Sequence, residues 1–433
     1  MDSLGVLKSK FMKFSNKPFI RNVMIAVSGT AAAQVITMAF SPIITRIYGP
    51  EIYGILGVFM AMVGIISPIA ALTYPVAIVL PKDDRDATLL VRISLYVSGI
   101  IALFSALVLV FFNKQIVSLF HIELISPFLF LIPLVILFSA LLQIAQQWLI
   151  RTKQFRVIAK AALLNALIIN ATKVGFGFIT PIAWILVFLS TMGNALHAFM
   201  LFLGVNSTLD KKTDKKPKEL YNFKALKELA KKHIDFPLFR APQVFINAIS
   251  QSLPVLLLSS FFGPAAAGFY SIARNVLNIP IGLIGKSVGD VLYPRLTEAI
   301  HAGENIKSLL IKSTLALAAV GLVPFGIVVV FGPWLFGFVF GADWVLAGEY
   351  ARWLSLWLYF MFINRPSVVA IPGLNLQGKY LIYEVSSILL KILALILGFY
   401  LFESNDILAV ALYSIAGVFT YIYLIVWVIK SSK

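Results

Sequence analysis

Apolar residues along this chain fall into long runs parted by short polar breaks. A helix of ~20 such residues crosses the ~30 Å hydrocarbon layer of a bilayer. The pattern predicts spans at about 22–47, 54–79, 88–112, 128–150, 157–179 and 181–204. Beyond a polar stretch it predicts six more, at about 237–262, 268–293, 309–331, 346–370, 381–402 and 407–429. Prolines inside these runs (Pro42, Pro68, Pro75, Pro133, Pro254, Pro280 and Pro324) read as kinks, which membrane helices tolerate. The fold class expected is therefore all-α integral membrane with twelve transmembrane helices. Residues 206–236 form a basic linker between an N-terminal six-helix bundle (22–205) and a C-terminal one (237–429), flanked by an N-terminal segment (1–21) and a tail (430–433).

The halves echo each other. Tyr48-Gly49-Pro50-Glu51-Ile52-Tyr53-Gly54 joins the first and second spans, and Phe262-Gly263-Pro264-Ala265-Ala266-Ala267-Gly268 joins the seventh and eighth. Both read aromatic-Gly-Pro-x-x-x-Gly. Leu80-Pro81 and Tyr293-Pro294 follow at nearly equal distance. A Gly-Pro turn is a weak local signal, but its return at the same topological position is a strong one. An even number of spans per half gives both repeats one orientation, related by a pseudo-twofold axis along the membrane normal.

Composition supports lipid as the main solvent: 60% of residues are hydrophobic and 13% charged. The formal net charge of +17 suggests nucleic acid in a soluble protein, but here it follows the loops. With a cytoplasmic N-terminus, 28 of the 36 Lys and Arg residues fall in cytoplasmic segments, 3 in external ones and 5 within spans. That bias places both termini inside and removes nucleic acid as a partner. Met1–Arg21 lacks a cleavage site after a short apolar core and reads as cytoplasmic. Cysteine is absent and the four histidines are scattered, so no metal site or cofactor is expected. No Gly-x-x-x-x-Gly-Lys-Ser/Thr loop for ATP is present. Asp84-Arg85-Asp86 matches a glycosyltransferase metal motif, but it lacks a surrounding soluble domain and reads as a helix start.

Polar residues within spans mark the candidate chemistry. Thr30, Gln34, Thr37, Ser41 and Thr45 keep one face of the first helix; Arg240, Gln243, Asn247 and Gln251 keep one face of the seventh. Such stripes serve interhelical hydrogen bonds or line a wet cleft, and their recurrence at equivalent positions favours the cleft. A central Arg or Lys costs ~2.5–3.5 kcal/mol on insertion scales, so Arg274 (with Asn278 one turn on), Lys286 and Lys391 stand out. Asp290 is spaced to pair with Lys286, and Glu384 lies two turns from Lys391. Glu349 and Arg352 read as a solvated pair, and Arg46 sits at an outer mouth. The lysines from 211 to 232 read as a solvated loop with an amphipathic helix near Leu220–Ala230 on anionic lipid. Trp334, Trp344, Trp353, Trp357 and Tyr359 fit an interfacial aromatic belt.

Three stretches, Ser28-Gly29-Thr30-Ala31-Ala32-Ala33-Gln34, Ser41-Pro42-Ile43-Ile44-Thr45-Arg46-Ile47-Tyr48-Gly49-Pro50-Glu51 and Ala77-Ile78-Val79-Leu80-Pro81-Lys82-Asp83-Asp84, resemble the opening of the polysaccharide transport family. That family holds O-antigen-type oligosaccharide flippases, in the superfamily that also contains multidrug exporters. Phe331-Gly332-Pro333-Trp334-Leu335-Phe336 and Gly268-Phe269-Tyr270 fit as well. The resemblance implies two six-helix bundles, a cationic cavity and a polyprenyl-diphosphate-linked oligosaccharide as cargo, moved to the outer leaflet of a bacterial inner membrane. Arg240, Arg274 and Lys286 are then expected to meet the diphosphate, with Gln34, Thr37, Gln243, Asn247, Gln251 and Asn278 as further substrate contacts and Arg46 as a receiving site or, equally, a contact to a lipid phosphate. Asp290, Lys391 and Glu384 are expected to serve coupling, with a structural ion pair to another helix as the equal alternative for Lys391. A glycan polymerase complex is a candidate partner, and the chain is read as a monomer. The alternative is a cation- or proton-coupled multidrug exporter, although cationic drugs favour acids and bases predominate here. A membrane glycan polymerase or ligase needs a substantial external loop, whereas the longest connections expected are 113–127 and 332–345. A lipid-binding scaffold without transport is the fourth reading.

Overall fold

The computed structural model describes residues 18–120, 123–209, 223–282, 304–402 and 405–432, together with Leu292, Arg295, Leu296, Glu298, Ala299 and Ala302. Every regular element among them is helical. Nine of the helices among the described residues are long and apolar enough to cross a membrane, and the chain is a multi-pass membrane protein. In chain order the main helices are α1 (Pro18–Ile66), α2 (Asp84–Phe120), α3 (Ile132–Arg151), α4 (Phe155–Ile179), α5 (Ala183–Leu209) and α6 (Phe223–Lys232). They continue with α7 (Ala241–Phe262), α8 (Pro264–Pro280), α9 (Ile306–Phe340), α10 (Val345–Ile363), α11 (Gln377–Leu401) and α12 (Asp406–Ser431).

The first two predicted spans share α1, which leaves helical geometry at Gly49 (φ 68°, ψ 173°). Gly263, between α7 and α8, adopts the same conformation (φ 87°, ψ 172°). A side chain disfavours this backbone region, so both repeats need glycine here, and the following proline suits the first turn of the next helix. The second span does not stay helical to residue 79. After Ile66 comes a 3₁₀ turn, Ser67–Ile69, then Leu72 and Thr73 with φ 47° and 58°, then a short helix, Tyr74–Ala77. Pro68 and Pro75 lack the N–H a continuous helix needs. Gln143 of α3 instead donates to the Ser67 carbonyl at 2.7 Å, and the Ser67 and Ser139 hydroxyls meet at 2.6 Å. The tenth predicted span likewise breaks at Asn364, between α10 and a short helix Arg365–Ala370. The connections 113–127 and 332–345, expected as loops, are largely helical: α2 reaches Phe120 and α9 reaches Phe340.

The chain divides into two compact units. Unit 1 comprises Met1–Ile47 and Phe59–Ser252; unit 2 comprises Tyr48–Val58 and Leu253–Lys433. In unit 1, α3 packs on α2 and α5, and α4 packs on α5. Gly29 admits Ala159 of α4 so closely that a Cβ there would lie 2.2 Å from the alanine methyl. The apolar face of α6 joins this core through Leu229 rather than lying free on lipid, and the Tyr74 hydroxyl donates to the Ala230 carbonyl at 3.2 Å. Arg151 anchors the start of α2. Its guanidinium meets the Asp84 carboxylate at 2.9 Å and donates to the carbonyls of Ile78, Pro81 and Lys82. Asp84 thus serves as an ion-pair partner.

In unit 2, α10 is the central element, packed by α8, α9 and α12. Small residues set the spacing: Gly332 faces Gly348, and Gly417 faces the Trp357 ring. The two repeat motifs also meet in this unit. A Cβ on Gly54 would lie 1.7 Å from the Pro264 carbonyl oxygen, and one on Gly268 2.4 Å from that of Pro50. The contact is reciprocal between the two motifs. Tyr53 and Phe269 then close edge-on around Trp344, at 5.4 and 5.9 Å between ring centroids. Asn305 and Asn405 cap α9 and α12 by accepting from Ser308 and Leu408 amides at 2.9 and 3.1 Å.

Candidate functional site

Each unit carries part of the chemistry expected from sequence. In unit 1, Gln34 and Thr37 are exposed on α1, while Ser41 and Thr45 farther along the same helix are buried. Thr37 donates to the Ala33 carbonyl at 3.0 Å and accepts from Asn170 of α4 at 3.3 Å, so it also ties two helices together. Gln243, Asn247 and Gln251 are exposed along α7, and Arg240 is exposed in the π turn Phe236–Arg240 that leads into it. The Arg240 guanidinium lies 5.9 Å from the Phe236 ring centroid, which steadies the long side chain without neutralising it. Arg46, assigned to unit 1, is exposed.

Unit 2 assembles a tighter cluster. Lys391, half-buried on α11, places its ammonium 5.2 Å from the Trp357 ring centroid and 5.8 Å from that of Tyr421. Arg274, half-buried on α8, lies within electrostatic reach of both Lys391 and Tyr413. Tyr413 sits edge-on to Trp357 at 5.2 Å and to Tyr270 at 6.5 Å. Glu384 acts on Lys391 from the same helix, but no direct ion pair joins them among the described residues. The Trp357 indole N–H is buried with no hydrogen-bond partner among the described residues. Two basic side chains within electrostatic reach of each other, an indole N–H and tyrosine hydroxyls therefore share this part of unit 2, with the Trp357 and Tyr421 rings beside the Lys391 ammonium. Donors of this kind replace the hydration shell of an anion. Asn278 is half-buried one turn beyond Arg274. Lys286 and Asp290 lie outside the described residues.

Two aromatic assignments are corrected. Trp344 and Trp357 do not lie in an interfacial belt: they are buried at 1% and 5% exposure, one against Tyr53 and Phe269, the other around Lys391. Glu349 and Arg352 do pair, at 3.1 Å, and Arg352 also donates to the Val329 carbonyl of α9. No group of three metal-ligating side chains occurs among the described residues.

A family profile described as polysaccharide biosynthesis protein matches residues 43–348, well over half of the chain. The chain belongs to that family. Within curated proteins, the family member is 23% identical over 353 residues to the succinoglycan biosynthesis transport protein ExoT of Rhizobium meliloti (strain 1021). That match covers 78% of the chain but spans 66% of the relative's length. Among solved structures, the lipid II flippase MurJ in an inward closed conformation superposes with a TM-score of 0.69 at 17% identity, over 94% of this chain and 87% of that one. An inward-facing multidrug resistance MATE family transporter of the MOP superfamily gives 0.69 at 12% identity, over 94% and 97%. At these identities the likeness establishes a MurJ- and MATE-like helical fold. Sequence reasoning found Arg274 and Lys391 as costly charges, but the aromatic enclosure that joins them comes from α10 and α12 and has no local signature.

Proposed function

We propose that this polysaccharide biosynthesis family member is a flippase. Its cargo is a polyprenyl-diphosphate-linked oligosaccharide repeat unit, moved from the cytoplasmic to the outer leaflet of a bacterial inner membrane. In this reading twelve spans in two six-helix bundles alternate access to the cargo, both termini are cytoplasmic, and the monomer needs no catalytic step. The observation that carries the reading is Lys391 held against the Trp357 and Tyr421 rings within electrostatic reach of Arg274. A diphosphate entering the membrane must exchange water for fixed donors, and this cluster offers them. Arg240 and the amides of Gln243, Asn247 and Gln251 give unit 1 an exposed polar surface of its own. Lys391, which the sequence marks as a candidate coupling group, belongs to the cargo site.

The multidrug-exporter alternative shares the fold, but a cationic drug meets repulsion at Arg274 and Lys391, with Glu384 as the acid nearby. The test is a strain lacking this gene, complemented with Arg274→Ala, Arg274→Lys or Lys391→Met at matched protein level. A lost charge-assisted contact of ~1.5–3 kcal/mol corresponds to a roughly 10- to 100-fold loss. Surface glycan falls accordingly, and the lipid-linked precursor accumulates on the cytoplasmic leaflet. Normal glycan display in both Arg274→Ala and Lys391→Met removes the cluster from the mechanism.

A further inference from the structure

A groove on unit 2, between α11 and α12, has no part in the site above. It holds about 500 Å³ and takes Lys379, Tyr383 and Leu390 from α11 and Phe419, Tyr423 and Trp427 from α12. Its polarity is ordered. Lys379, exposed, stands on the first turn of α11, and Trp427 lies near the end of α12. Deeper along the helices come the stacked rings of Tyr383 and Tyr423, 6.3 Å apart, with the Tyr383 hydroxyl bound to the Thr420 carbonyl at 3.0 Å. Deeper still the walls are Leu390 and Phe419, both exposed. From Lys379 to Leu390, at 1.5 Å per residue, the groove runs for ~16 Å, about half the ~30 Å hydrocarbon thickness. Ser386, Ser387 and Thr420 also line it, the Ser386 and Thr420 hydroxyls already bound to the Ile382 and Gly417 carbonyls of their own helices. A cation at one end and a mainly apolar slot one leaflet deep at the other is the profile of a single lipid with an anionic headgroup.

We infer that this groove binds one anionic phospholipid of the leaflet on the Lys379 side, phosphate on the ammonium and an acyl chain between Tyr423 and Leu390. Charge complementarity selects the headgroup: none of the described lining residues is acidic, and the Arg365 charge acts on Tyr380, which stacks on Tyr383 at 5.9 Å. Glu384, the acid of this stretch, is not among the lining residues. The inference stands apart from the transport reading, since lipid binding is measurable whether or not the chain flips anything.

The full chain is reconstituted in phosphatidylcholine bilayers with increasing phosphatidylglycerol carrying brominated acyl chains, which quench nearby tryptophan. The chain has seven tryptophans, so the Trp427 signal is read as the difference from Trp427→Phe. Quenching by brominated phosphatidylglycerol is expected to half-saturate at a mole fraction about fivefold lower in the wild type than in Lys379→Gln, the factor one lysine contributes at an anionic surface. Lys379→Arg restores it, and brominated phosphatidylcholine quenches both proteins only at the weaker value. Equal quenching by the two lipids in the wild type, or an unchanged midpoint in Lys379→Gln, overturns the inference. So does displacement of the brominated lipid by inorganic phosphate, which marks a bare anion site. Displacement by stoichiometric polyprenyl phosphate but not by unlabelled phosphatidylglycerol also overturns it, by giving the groove to the cargo's tail.

Discussion

Replacing Gly54 by alanine tests whether the paired repeat motifs are held by direct backbone contact. The added Cβ would fall 1.7 Å from the Pro264 carbonyl oxygen and 2.4 Å from its carbon, where contacts below 3.0 Å are essentially never tolerated. The backbones must part by the 1.3 Å between 1.7 and 3.0 Å, because no flexible side chain is there to yield. That places the change near the top of the overpacking range, about 3 kcal/mol. For a unit of this size the loss lowers the apparent melting temperature by roughly 6–12 °C. Gly268→Ala, with its Cβ 2.4 Å from the Pro50 oxygen, behaves alike. Gly175→Ala is the control: a Cβ there meets nothing within 4 Å, and an alanine in mid-helix stabilises by up to ~1 kcal/mol. Melting of the purified chain in detergent reads the stability. The absence of cysteine also permits a single reporter, Thr45→Cys, at a position with 0% exposure. Gly54→Ala is expected to speed its labelling by a membrane-impermeant maleimide. A Gly54→Ala protein that melts with the wild type and labels no faster refutes the close-contact reading.

Arg151→Gln removes the donor that holds three carbonyls at the start of α2, and a loss of about 2–3 kcal/mol from unit 1 is expected in thermal melts. Asp84→Asn costs no more than about 1 kcal/mol, since its side chain is 76% exposed in the same ion pair. Tyr350→Phe deletes the 2.8 Å bond to the Asp406 carboxylate, and chemical denaturation is expected to show a loss of about 1.5–3 kcal/mol. Burial, reinforced by Lys232 and opposed by Asp86, holds the His233 imidazole below its ordinary 6.5. A depressed value means the stabilisation is whole above pH 6.5 and fades as acid protonates the ring. Once the intrinsic slowing of amide exchange in acid is divided out, protection factors over residues 223–236 are therefore expected to fall on acidification below that value, and His233→Gln to abolish the fall.

Helix placement was largely legible because lipid demands long apolar runs, and the Gly-Pro turns were legible because only glycine tolerates the backbone of Gly49 and Gly263. The break at residues 67–73 was not. The apolar run continues to Val79, and the break is tied down by residues far along the chain: Gln143 donates to the freed Ser67 carbonyl and Ser139 bonds the Ser67 hydroxyl. The aromatics failed for a related reason. A tryptophan at a membrane boundary and one packed around a lysine look the same in sequence, and Trp357 is assigned by Gly417 and Lys391, which lie on other helices. The face of α6 was recognised as amphipathic, but its burial on Leu229 and Tyr74 depends on tertiary contacts. The candidate site was legible as isolated charges, and their association required the fold.

The most direct measurement is transbilayer movement of the cargo itself. Purified chain is placed in vesicles carrying a polyprenyl-diphosphate-linked oligosaccharide in both leaflets, and an external glycosidase trims whatever reaches the outside. Trimming is expected to pass the outer-leaflet half and approach completion with wild-type protein, and to stop at half with the Arg274→Ala, Lys391→Met double variant. Trimming that stops at half with the wild type, in vesicles that do move a cationic dye, contradicts the account.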